Sequence, residues 1–219
     1  MLKNILKIFQ KNTKQDILNK NIHTFTRELK NTSIKALVIA DRSPYEPIKN
    51  ILEKNNDIEL IITLWDLEYL DISYLKNITN IPKIGIYWNH CDWHYLEHLW
   101  IKNLHLETFD IKWIKFWWFE WCVRYKKNEY AKMYTQEEAT ELFKDFESVD
   151  ILVSHNAPFW IQDAKDPSHI WFKIFNEYIK KKHPKYLLHG HTDPEEKNTK
   201  YIDTEVIFLY WSEIINLEF

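Results

Sequence analysis

The sequence predicts an α/β domain, and three observations carry that expectation. Short apolar runs rich in Ile, Leu and Val recur along the chain: IKALVIA, IELIITL, KIGIY, ILVS, YLLH and TEVIFLY. Between several of them lie segments with helix-start signals or helical spacing, the alternation that builds strand–helix–strand units. At or just past the ends of five runs stand Asp41, Asp66, Asn89, His155 and His191, all side chains able to bind a cation.

A chain of 219 residues suits one compact domain, and 45% apolar with 28% charged residues excludes collagen, coiled coil and bulk disorder. No apolar run reaches the roughly 20 residues needed to cross a bilayer. The first thirty residues are threaded with Lys instead of being built around an apolar stretch with a cleavage site, so a cytoplasmic protein is expected. Cys91 and Cys122 are too few for a disulfide framework and lack the paired spacing of a structural zinc site. A net charge of -3 provides no general basic field, and no general nucleic-acid binding is expected.

Residues 1–35 carry eight Lys or Arg and two acidic residues, with Leu2, Ile5, Leu6 and Phe9 at helical spacing. Residues 1–33 therefore read as a basic amphipathic arm, and 34–219 as the main domain. IKALVIA is a buried strand ending at Asp41, and Pro47 opens a helix to Lys54 because proline suits a first turn. IELIITL ends at Asp66 and KIGIY at Asn89. Strand-like segments follow around His105–Phe109 and Ile111–Phe119. TQEEATELFKDF is a helix whose Thr135 and Glu138 form a capping box. ILVS ends at His155, residues 168–181 have helical spacing, YLLH leads to Gly190 and His191, and TEVIFLY leads to Trp211.

The carboxyl ends of strands are where α/β sheets gather their ligands. Here that edge collects two carboxylates, an amide and two imidazoles. Oxygen and nitrogen donors of this kind suit Mn²⁺, Fe or Zn²⁺, and several carboxylates favour a pair of cations.

One property is anomalous. The chain has two glycines, Gly85 and Gly190, where ordinary usage predicts roughly fifteen, and it has eleven tryptophans. Trp65 and Trp88 stand at strand ends and Trp117, Trp118 and Trp121 crowd one short stretch. Strand-to-loop junctions call for glycine, which alone takes positive φ freely. The expectation is that these tryptophans are UGA codons that the source organism reads as glycine. The competing reading is an aromatic-rich core or a sugar-stacking surface.

Five motifs in order, Asp41-Arg42-Ser43, Trp65-Asp66, Trp88-Asn89-His90-Cys91, Ser154-His155-Asn156-Ala157-Pro158 and Gly190-His191-Thr192-Asp193, resemble the calcineurin-like metallophosphoesterase family. That family carries D-x-H, G-D, G-N-H-D/E, a later His and G-H-x-H, so two of its glycines are Trp65 and Trp88 here. The resemblance spans Ile34 to Phe219 and implies a sandwich of two mixed β-sheets flanked by helices. It implies one or two divalent metal ions, Mn²⁺ first with Fe²⁺ or Zn²⁺ as alternatives. Asp66 would bridge the two, Asn89, His155 and His191 would complete the second site, and Asp41 would hold the first. Ser43 and Asp193 replace two family histidines, which exchanges imidazoles for a harder first site.

The activity implied is hydrolysis of a phosphate ester, as a phosphodiesterase or phosphatase, by a metal-activated hydroxide, with His90 as the catalytic histidine. Arg42 and Arg124 are candidates to hold the substrate phosphate bidentately. His189 and Asp92 are candidates for supporting the ligands. The alternative from another class is a catalytically silent relative that serves as a binding or scaffold module.

Overall fold

The computed structural model describes residues 32–64, 66–87, 95–120, 122–125, 133–162, 171–191 and 194–219. Contacts divide the chain into a main unit, Lys35–Asn216, and a smaller one made of Met1–Ile34 with Leu217–Phe219. The arm expected over residues 1–33 lies almost wholly outside the described residues.

Two mixed sheets flanked by helices make up the fold, as expected. The first contains β1 (Ser33–Ala40), β2 (Leu60–Thr63), β3 (Lys83–Gly85), β4 (Lys102–Asn103) and β11 (Trp211–Glu218), in the order β11-β1-β2-β3-β4. The second contains β5 (Thr108–Ile111), β6 (Ile114–Phe119), β7 (Ile151–Ser154), β8 (Tyr186–His189), β9 (Asn198–Tyr201) and β10 (Thr204–Phe208), in the order β5-β6-β7-β8-β10-β9. β1, β2, β3 and β4 run parallel, as do β6, β7, β8 and β10, so all of these carboxyl ends within a sheet share one edge. Gly85 allows β3 to lie close on β2: a Cβ there would collide with Thr63 Oγ1 and stand 2.8 Å from Thr63 O.

The helices are α1 (Ile48–Lys54), α2 (Tyr69–Ile72), α3 (Tyr95–His98), α4 (Gln136–Phe143) and α5 (Lys173–Lys182), with a 3₁₀ turn over Ser73–Asn77. Pro47 is the cap of α1, one position outside the helix predicted from it. The capping box of α4 is present: Thr135 Oγ1 accepts from Glu138 N and Glu138 Oε2 accepts from Thr135 N. α4 and α5 cover one face of the second sheet, burying Trp117, Phe119, Leu152 and Leu187 against Phe143, Phe175 and Ile179. Among the described residues no helix is long and apolar enough to cross a membrane.

Three strands are not legible in the sequence: β4 is only two residues long, and β9 and β11 are partly exposed and lack the apolar alternation that marks a half-buried strand. TEVIFLY is also shorter than expected, since β10 stops at Phe208 and Trp211 restarts the chain as β11 with φ 59°.

Candidate metal centre

Asp41 follows β1, Asp66 lies three residues past β2, and His191 lies two past β8. Parallel pairing brings the ends of β1 and β2 side by side, and the end of β8, in the other sheet, approaches them across the two sheets. One ligand atom from each of Asp41, Asp66 and His191 lies within 4.8 Å of the other two. His155, directly after β7, is fully buried, and its ring centroid is 4.2 Å from that of His191. The backbone N–H of His191 donates to Asp41 Oδ2 at 3.2 Å, which ties the second sheet to the first at the site.

Asp41, Asp66 and His191 all have left-handed backbones, with φ of 61°, 52° and 65°. Non-glycine residues held there cost about 1–3 kcal/mol each and concentrate at functional sites. Burial pushes the Asp66 carboxyl up to about 6, and its Oδ1 is buried without a hydrogen-bond partner. A desolvated carboxylate of this kind is stabilised by a cation placed against it. The donor set of Asp41, Asp66 and His191 therefore fits a divalent ion, with the buried His155 imidazole against His191 beside it. Asn89, His90, Asp92 and Asp193 lie outside the described residues.

A cavity of about 440 Å³ opens beside these ligands, lined by Asp41, Arg42, Ser43, Tyr45, Asp66, Glu68, Asp71 and Trp211. Its four carboxylates face one guanidinium. Arg42 Nε donates to Tyr210 Oη at 2.8 Å, and Arg42 lines the cavity. Ser43 Oγ donates to Asp71 Oδ2, which ties the position two residues after Asp41 to a carboxylate from α2. Sequence reading missed Glu68 and Asp71; the acidic residues following Asp66 at short spacing were the available signal.

Arg124 stands elsewhere. Its guanidinium bonds Glu138 at 2.9 and 3.2 Å and the Met133 carbonyl at 2.9 Å, at the start of α4. It does not line the cavity. An exposed pair of this kind contributes little to stability, because water screens it. Arg124→Ala should therefore lower the melting temperature only slightly in thermal unfolding; a large fall would show that the pair anchors the start of α4.

His189 is fully buried and packs on Phe208, with Nε2 2.6 Å from Gln162 Oε1 and Nδ1 3.1 Å from the Gly190 carbonyl. Burial holds its pKa down to about 4, so the ring is neutral at pH 7. It links β8 to the turn carrying Gln162, two residues from His191.

No protein-family model matches the chain, and no curated protein does. Solved structures do. One aligns over 86% of this chain and the whole of its own, with a TM-score of 0.60 and 11% identity. Another, TT1561 of Thermus thermophilus, covers 85% of this chain and 99% of its own, with a TM-score of 0.54 and 12% identity. At such identity the likeness shows the fold alone: two mixed sheets flanked by helices.

Proposed function

We propose that the chain is a metal-dependent phosphoesterase working at the Asp41, Asp66, His155 and His191 cluster. The observation that carries this reading is the convergence of Asp41, Asp66 and His191 within 4.8 Å from the ends of three separate strands, beside a cavity of suitable size. When bound, divalent cations supply positive charge opposite the phosphate oxygens and activate water as the nucleophile. Mn²⁺ is the first choice, with Fe²⁺ or Zn²⁺ as alternatives. Asp66 would present its charge to the cations from a buried position, and Asp41 would do so from the end of the neighbouring strand of the same sheet. Arg42, held by Tyr210, engages the non-bridging phosphate oxygens with its remaining N–H groups. His90 donates a proton to the leaving oxygen, as the resemblance implies.

The test is hydrolysis of bis(p-nitrophenyl) phosphate and of p-nitrophenyl phosphate with and without Mn²⁺. Metal-dependent turnover of either ester supports the reading, and the preferred ester separates phosphodiesterase from phosphatase. Mn²⁺ binding without turnover of either would favour the silent binding module. One observation leans that way: Ser43 is engaged by Asp71 where the family places a histidine ligand.

The tryptophan positions are proposed to hold glycine in the native protein. Seven tryptophans are described. Trp100, Trp113, Trp160 and Trp211 have φ of 57°, 68°, 64° and 59°, in the left-handed region. Trp100 is the residue after the C-cap of α3 in a Schellman motif, with Ile101 N donating to Leu96 O at 2.8 Å and Trp100 N to Glu97 O at 3.2 Å. Trp113 follows Lys112, φ 52°, in the two-residue β5–β6 hairpin loop, where two positive φ values call for Asn-Gly. Trp160 is the third residue of a turn closed by Ile161 N donating to Pro158 O at 2.9 Å, the type II position that wants glycine. Trp117, Trp118 and Trp171 are fully buried, and the indole nitrogens of Trp117 and Trp118 have no hydrogen-bond partner. Sequencing the gene decides the matter: UGA at the eleven positions supports it, and UGG overturns it.

A further inference from the structure

A second polar cluster lies at the same sheet edge, outside the cavity. Glu120 directly follows β6, and the β6–β7 register, in which Phe119 faces Ser154, brings it alongside His155. Its side chain is buried, with 4% of the residue exposed. Glu120 Oε1 accepts from the backbone N–H of Tyr87 at 3.1 Å, and Oε2 lies 3.6 Å from Nδ1 of His105. His105 Nε2 is in turn 3.3 Å from Tyr134 Oη. Tyr87 belongs to the segment leaving β3 in the first sheet, two residues before Asn89 and three before His90.

Burying a carboxylate is costly unless its oxygens are met, and a well-packed apolar residue would serve packing alone equally well. Glu120 instead applies its two oxygens to two different elements, a main-chain N–H of the first sheet and an imidazole on the connection from β4 to β5. We propose that Glu120 is a positioning residue: it clamps Tyr87, where the chain leaves β3, to the end of β6, and so fixes the point from which the sequence runs on to Asn89 and His90. The ligand consequence rests on the phosphoesterase reading, whereas the clamp itself does not. Carboxylates that orient metal ligands through one intervening group typically change affinity by about 10–100-fold when removed.

Three variants test this by hydrogen–deuterium exchange of the metal-free protein, read on peptides spanning residues 86–94, together with Mn²⁺ titration. Glu120→Gln keeps an oxygen that can accept from Tyr87 N; Glu120→Ala and Glu120→Leu do not. Exchange in this segment is expected to rise at least about tenfold in the Ala and Leu variants, with β1 and β8 unchanged, and to stay near wild type in the Gln variant. Mn²⁺ affinity should follow the same order, falling about 10–100-fold in the Ala and Leu variants. Unchanged exchange in the Ala and Leu variants overturns the clamp, as does equal loss in all three accompanied by faster exchange throughout the protein. If the wild type binds no Mn²⁺, the phosphoesterase reading fails while the exchange data still decide the role of Glu120.

Discussion

Asp66→Asn is expected to lower Mn²⁺-dependent phosphate-ester hydrolysis at least about a thousandfold while leaving the metal-free protein as stable as the wild type or more so. The two effects have one cause. Asp66 is a largely buried carboxylate with an unpartnered Oδ1, pushed up to about 6 by burial. An ionised group raised from 3.8 to about 6 carries an upper-bound linkage penalty of roughly 3 kcal/mol in the folded state. The sign follows from proton uptake: between about pH 4 and 6 the folded wild type holds the proton that the unfolded chain releases. Its stability is therefore highest below that window and declines through it.

Asparagine keeps the shape of the side chain but has no charge to desolvate, so the decline should be absent from the variant. It also removes the negative charge that Asp66 would present to a divalent cation under the proposed function. The loss should exceed the 10–100-fold typical of residues that only orient ligands. Urea denaturation of both metal-free proteins at pH 4.5 and 7.5, beside steady-state kinetics at pH 7.5, makes the comparison. Full activity in the variant would remove Asp66 from the site, and a large stability loss at both pH values would make it structural.

The second large effect is on stability. Replacing Trp100, Trp113 and Trp160 together by glycine is expected to stabilise the protein by about 2–5 kcal/mol, combining relief of left-handed strain of about 1–3 kcal/mol per site with the entropic cost of glycine. For a chain of this size that is a rise in melting temperature of roughly 5–15 °C. These three are the clean sites because their rings are 76%, 79% and 76% exposed, so little packing is lost with them. Trp117 differs: it stacks on Phe146 with centroids 3.6 Å apart, and its removal from this core would leave a cavity. Thermal unfolding of the triple variant against the parent checks the expectation. A fall in melting temperature would show that the turns tolerate indole, and would favour the reading in which tryptophan is native.

The two predictions draw on different depths of the sequence. Apolar runs place β1, β2, β3, β7 and β8, and the residue after or near each run names Asp41, Asp66, His155 and His191 from the sequence alone. Such runs are legible because burial on both faces demands continuous apolar sequence. The same local logic reads the capping box of α4 and the turns that hold tryptophan at positive φ, since a helix cap and a left-handed turn are satisfied by neighbours in the chain.

β9 and β11 are illegible because edge strands are held by main-chain bonds that any side chain permits. Arg124 is misread for a related reason. Its guanidinium suits phosphate and carboxylate equally, and only the fold shows that Glu138 takes it. Glu68, Asp71 and Glu120 likewise carry no motif. Residue types and short-range spacing determine which elements form and which chemistry their ends can offer. Which polar groups meet across two sheets is decided by long-range packing, since pairs such as Tyr87 with Glu120, or Asp41 with His191, are separated by 33 and 150 residues.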